Sequence, residues 1–168
     1  MDPSTLALAV DDLVWRPPSE RDEGARLYGV VVRDGVAALT VRLVEHGEPR
    51  RVLRRTRLPG GLTAAALTVT GWRAPLADPG DVPIRPSEHP LRQRVHSTCV
   101  VYGGGDLVSV LRTAGTDPRG AVEVLPGGAG VVPDLLRHCW WRARAREAGR
   151  PAADGAPWAV GGSTSGPA

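Results

Sequence analysis

The chain predicts an α+β fold: an antiparallel β-sheet of about six or seven strands packed against one C-terminal amphipathic helix. Three observations predict it. Short runs rich in Val and Leu recur between residues 26 and 125, each bounded by Gly, Pro or Asp. Two of the links, Asp34-Gly35 and Gly103-Gly104-Gly105-Asp106, are too short for anything but a hairpin, so the strands they join are antiparallel. Near the end, Val132, Leu135, Leu136, Cys139, Trp140 and Ala143 form one apolar stripe at helical spacing.

Along the chain, Ser4 to Trp15 carries two patterns. Leu6, Val10, Leu13 and Val14 follow helical spacing with Ser4 as a cap, whereas Leu6, Leu8 and Val10 alternate as in a strand. The stretch from Arg16 to Gly24 reads as a polar loop. Leu27 to Val32 and Val36 to Val44 read as a hairpin around Asp34-Gly35. Glu45 to Pro49 reads as a turn, and Arg50 to Leu58 as a third, arginine-heavy strand. After Pro59-Gly60-Gly61 a fourth strand spans Leu62 to Trp72, completing a β-meander. Pro75 to Pro90 contains five prolines and reads as an extended loop. Val95 to Tyr102 and Leu107 to Thr113 form a second hairpin, and Ala121 to Leu125 a last short strand.

The helix is expected over Val131 to Glu147. Pro133 suits its first turn, and Arg142, Arg144 and Arg146 complement the dipole of its last. Residues 1–150 are expected to form one domain. Residues 151–168, nearly all Gly, Ala, Ser, Thr and Pro, read as a disordered tail.

Lysine, asparagine and phenylalanine are absent, isoleucine occurs once, and all 21 basic residues are arginine. These residues share A/T-rich codons rather than chemistry, so the bias points to a very GC-rich genome, as in actinobacteria or certain large DNA viruses of animals. Arginine richness therefore does not by itself signal nucleic-acid binding. Lysine-dependent chemistry is excluded: Gly127-Gly128-Ala129-Gly130 is no Walker loop, and the third glycine of a dinucleotide fingerprint falls on Pro133.

Charge is uneven. Residues 1–48 hold five Arg against nine Asp/Glu, a net of −4, while residues 49–150 hold sixteen Arg against eight acids, a net of +8. Two cysteines, no basic leader and no apolar run near the roughly 18 residues of a membrane span predict a soluble protein in a reducing compartment.

Chemistry-bearing motifs are sparse. His96 and Cys99 would face opposite sides of a strand, and His138 and Cys139 diverge on a helix, so no zinc site is expected. Ser97 stands beside His96 and near Cys99, but no G-x-S-x-G or H-E-x-x-H pattern supports catalysis. Neither catalytic residues nor a cofactor are expected.

Two surfaces remain as candidates for partner binding. Trp141 lies about 100° from the stripe that holds Trp140, among Arg137, Arg142 and Arg144; Trp and Arg are the residues enriched at interface hot spots. In an extended Arg50–Arg57, Arg51, Arg55 and Arg57 share one face with Leu53. Such a row suits phosphates, nuclear import or protection of a sheet edge.

Several features occur in an order that resembles a known family. An arginine-rich stretch ends in Leu58-Pro59-Gly60-Gly61, and a hydrophobic strand closes with Trp72-Arg73-Ala74. The strand pair Thr98–Tyr102 and Leu107–Thr113 follows, then a Pro-led helix containing Asp134-Leu135-Leu136. Together they resemble a small nuclear protein family of alphaherpesviruses, the product of the fourth gene of the unique long genome segment. The resemblance covers about residues 30 to 146. It implies a non-enzymatic accessory protein of the host nucleus whose partners are other viral or host nuclear proteins, and it carries over no catalytic or metal-binding residues. Two alternatives stand beside it: an actinobacterial small-ligand-binding domain or enzyme, and nucleic-acid binding through the arginines.

Overall fold

A computed structural model describes residues 2–15, 24–75, 85–113, 121–128 and 131–149, with the backbone alone at 39–46 and 121. Most of the loop expected at 75–90 and all of the tail at 151–168 lie outside the described residues.

The fold is α+β. Six strands, β1 (Ala25–Arg33), β2 (Val36–Gly47), β3 (Ala64–Arg73), β4 (Gln93–Tyr102), β5 (Asp106–Thr113) and β6 (Ala121–Pro126), form one sheet in the order β2-β1-β3-β4-β5-β6. Every neighbouring pair is antiparallel. Among the described residues three helices accompany them: α1 (Pro3–Val14), α2 (Pro49–Arg55) and α3 (Val131–Glu147).

The C-terminal helix has the bounds that the apolar stripe predicts, but it is not alone. The ambiguous N-terminal segment is helical. Asp2, rather than Ser4, caps it, its carboxylate accepting from the backbone N–H of Ser4 (3.0 Å) and Thr5 (3.1 Å). Pro3 then occupies the first turn.

The larger correction concerns Arg50 to Leu58, which contains a helix instead of a strand. Glu48 caps α2 by accepting from Arg50 N (3.1 Å) and Arg51 N (2.8 Å), and Pro49 begins it. Val52 and Leu53 turn into the core while the arginines stay outside. Arg54 and Arg55 load its last turn, where the dipole favours cations.

The strands are therefore not a simple meander. β1 pairs with β2 through the Asp34-Gly35 turn, whose residues both have positive φ (51° and 76°), as a two-residue hairpin turn requires. The chain then passes across β1 by way of α2 and returns as β3 on β1's other side, with Leu27 opposite Leu67.

Helices cover both faces of the sheet. Leu6, Ala7, Val10 and Val14 of α1 pack with Tyr28, Val30, Ala64, Ala66, Val100, Val108 and Val110. On the opposite face, α2 and α3 pack Val52, Leu53, Leu136, Cys139, Trp140 and Ala143 against Leu27, Ala65, Leu67, Cys99, Val101 and Leu107. Two covered faces explain why Ala64 to Leu67 is a continuous apolar run rather than an alternation.

One polar knot lies within the α1 layer. Asp11, fully buried, accepts from Thr98 Oγ1 (2.5 Å) and from Arg112 Nε, and Arg112 reaches Asp12 as well (2.5 Å). Arg112 is itself 6% exposed and lies over the Trp15 ring, 5.7 Å from its centroid. Removing Asp11 takes the fully buried carboxylate from both Thr98 and Arg112 and leaves the guanidinium leaning on the exposed Asp12. Asp11→Ala is expected to cost about 3–5 kcal/mol in chemical denaturation, whereas an Asp11→Leu/Arg112→Met double variant recovers a large part of the loss. A double variant no more stable than Asp11→Ala would show that the two sites are uncoupled.

Candidate functional site

The site is built where α3 meets the turn between β4 and β5. That turn is Gly103-Gly104-Gly105, and α3 takes its three successive carbonyls. Trp140 Nε1 donates to Gly103 O (3.0 Å), Trp141 Nε1 to Gly104 O (2.8 Å) and Arg137 Nε to Gly105 O (3.0 Å). Residues 137, 140 and 141 lie at i, i+3 and i+4, one helical face. Asp134 accepts from the other arm of Arg137 (3.1 Å) and so fixes the guanidinium.

Gly105 makes the close approach feasible. Its φ is +113°, and a Cβ there would stand 2.3 Å from Trp141 Nε1. Trp140 is buried at 1% exposure, while Trp141 stays 50% exposed with its polar edge already held. Beside it opens a cleft of about 600 Å³, lined by Tyr102, Asp106, Arg137 and Trp141 together with Pro3 and Pro126. Burial and the charges of Asp106 and Asp2 push the Tyr102 hydroxyl pKa up, so it remains a proton donor.

The residues singled out in the sequence separate into three places. Trp141 and Arg137 stand together at the cleft. Arg144 belongs elsewhere: it stacks on Trp140 (4.3 Å to the ring centroid), donates to Leu62 O (2.9 Å) and pairs with Glu147 (2.7 Å). Its role is to tie α3 to the segment before β3. Arg51 and Arg55 are exposed one helical turn apart on α2, and Arg57 is exposed beyond its end. The expected row of Arg51, Arg55, Leu53 and Arg57 on one strand face does not form, because Leu53 points into the core. No motif marks Tyr102, Asp106, Pro3 and Pro126 as cleft residues, since only the tertiary pairing of α1, β6 and the β4–β5 turn assembles them.

Both cysteines are free and buried. Cys139 is buried, contacts Thr56 O at 3.6 Å, and has its thiol pKa raised by burial, partly offset by Arg142. Cys99 lies 3.3 Å from Ser109 Oγ and 3.8 Å from Ser97 Oγ in the α3-side core. His96 belongs to the opposite sheet face, paired in register with Arg112. Among the described residues, no group of three or more His, Cys, Asp or Glu is placed to hold a metal. None of the described helices is long and apolar enough to cross a membrane.

The chain matches no protein-family model, no curated protein and no solved structure.

Two outcomes test this geometry. Gly105→Ala is expected to force Trp141 off the turn and shift its fluorescence, with a stability loss of about 1–3 kcal/mol for the strained φ; an unchanged spectrum and stability would contradict the contact. Glu147 is held below its ordinary pKa, first by Arg144 and then by the Gly61 N–H (2.6 Å). A depressed folded-state pKa contributes stability above the unfolded-state value, which is lost as pH falls through the folded one. Glu147→Gln is therefore expected to flatten that part of the acid limb in a stability–pH profile.

Proposed function

We propose that the chain is a non-enzymatic viral accessory protein of the host nucleus that works through protein–protein contacts, and that it makes them with the α3 face bearing Trp141 and Arg137. One observation carries the contact assignment. Trp141 is half-exposed, yet its indole N–H is fixed to Gly104 O and its ring is seated on Gly105. An aromatic side chain immobilised before binding loses little entropy on association, which is what an interface anchor needs. Arg137, held by Gly105 O and Asp134, presents a second hot-spot residue type at the same cleft.

The viral and nuclear parts of the proposal rest on the family resemblance over about residues 30 to 146. The non-enzymatic part is supported by where the reactive groups go. Asp11 is bound to Thr98 and Arg112, Cys139 and Cys99 are buried, and Glu147 is bound to Arg144 and Gly61. Each has a structural partner that leaves it unsuited to proton or group transfer.

The test is affinity capture from nuclear extract of infected cells with wild-type and Trp141→Ala baits, alongside a fluorescent fusion to follow location. The fusion is expected in the nucleus. Loss of a hot-spot Trp costs about 2 kcal/mol or more, roughly a thirtyfold fall in recovered partner, with the fold intact by circular dichroism. Equal recovery by both baits would remove Trp141 from the interface, and a fusion kept out of the nucleus would remove the nuclear assignment.

A further inference from the structure

The opposite end of the sheet presents a different chemistry. On the α1 face, the register places Trp72 of β3 opposite Arg94 of β4, with Arg92 just before that strand. Both guanidiniums sit on the one indole, Arg92 at 5.2 Å and Arg94 at 4.9 Å from its centroid. The two cations are therefore within about 10 Å of each other, well inside unscreened range at low salt. Neither has a carboxylate partner among the described residues, where Arg73, Arg85, Arg112, Arg137 and Arg144 each have one.

Arg94 adds a second anomaly. Its Nη2 is buried from solvent and has no hydrogen-bond partner among the described residues. A buried donor left unpaired is costly, and one on a permanently charged group is the more so. The guanidinium needs an acceptor, and the described residues do not supply one there. Meanwhile Trp72 is a large aromatic left 39% exposed on a strand in the middle of the sheet.

We infer that the Trp72–Arg92–Arg94 corner is a binding site for a phosphate group of single-stranded nucleic acid. A phosphate presents paired oxygens that match the planar guanidinium fork, so one seated between Arg94 and the exposed Arg92 compensates both charges at once. Trp72, 39% exposed, leaves part of its ring uncovered for the attached base. A phosphorylated peptide would use the two arginines but not the ring, so the nucleic acid accounts for more of what is there. The net +8 of residues 49–150 supplies the surrounding field that draws a polyanion in. This site is distinct from the Trp141 cleft, at the other end of β4, and stands or falls separately from it.

The experiment is fluorescence anisotropy of a labelled oligothymidylate of about 16 nucleotides titrated with the full chain. Wild type is expected to bind, with affinity falling linearly in log salt. An Arg92→Ala/Arg94→Ala variant is expected to bind at least tenfold more weakly, with a salt slope smaller by about two. Trp72→Leu is expected to weaken binding with the slope retained, and Arg94→Lys to keep the slope. Arg92 is exposed, so Arg92→Ala alone carries the test if the double variant does not fold. The inference is overturned if the Arg92/Arg94 variant binds like wild type. It is equally overturned if the loss follows Arg51→Ala/Arg55→Ala instead, or if a phosphopeptide displaces the oligonucleotide more effectively than unlabelled oligonucleotide does.

Discussion

The structure depends on the seating of α3 on the carbonyls of the Gly103–Gly105 turn. Three side chains on one helical face, Arg137, Trp140 and Trp141, each donate to one of three consecutive carbonyls. A tight turn exposes carbonyls that strand pairing cannot satisfy, and each hydrogen bond made there is worth about 0.5–1.5 kcal/mol net. The bonds also fix the rotation of α3. Once Trp140 is pinned at Gly103, Leu136, Cys139 and Ala143 face the sheet, and Trp141 is left at the rim. Glycine at 105 is required because any Cβ there would occupy the space of the Trp141 indole.

From this seat α3 organises the rest of its layer through backbone acceptors. Arg142 donates to Leu53 O (2.9 Å) and Arg54 O (3.4 Å), the unsatisfied carbonyls at the end of α2. Arg144 takes Leu62 O, and Glu147 accepts from Gly61 N. The crossover from β2 to β3 is thus held down at several points by one helix. Across the sheet the arrangement differs: α1 is fixed by a buried ion pair and a hydroxyl, Asp11 with Arg112 and Thr98, set in an aliphatic layer. One face is held by many side-chain-to-carbonyl bonds, the other by the charged knot around Asp11.

How much of this was legible in the sequence follows from the physics of each element. α3 was legible because six apolar residues at helical spacing leave no alternative period, and the rotation between Trp140 and Trp141 then makes one buried and the other exposed. The β1–β2 hairpin was legible from Asp34-Gly35. α2 was not: Val52 and Leu53 are too few to define a stripe, and its four arginines conceal which face is outside. The usable signal was Glu48-Pro49, a cap followed by a first-turn proline, which also resembles a turn. α1 was undecided because Leu6, Leu8 and Val10 alternate as well as repeat, and Asp2 with Pro3 decided it. The strand order was hidden, since β3 lies beside β1 only because α2 crosses it. The cleft was half legible: Trp141 and Arg137 come from one helix, but Tyr102, Asp106 and Pro3 join them only through tertiary pairing.

The arginines now carry more information than composition allowed. A codon bias can set how many guanidiniums a chain contains, but not where each one ends. Arg137, Arg142 and Arg144 end on backbone carbonyls, and Arg73 and Arg112 on carboxylates. These five have structural employment, each donating to an acceptor elsewhere in the fold. Arg92 and Arg94 end on an aromatic ring with no carboxylate partner among the described residues, and Arg51, Arg55 and Arg57 end in solvent. A solvated arginine on a short helix is what a biased genome supplies at no structural consequence. A guanidinium nitrogen buried at Arg94 without an acceptor among the described residues is not, because burial without a partner opposes folding and persists only where something else compensates it. The distinction separates the two groups that the sequence presented as equally arginine-rich. It also places the unmatched positive charge at the Trp72 end of the sheet rather than on α2.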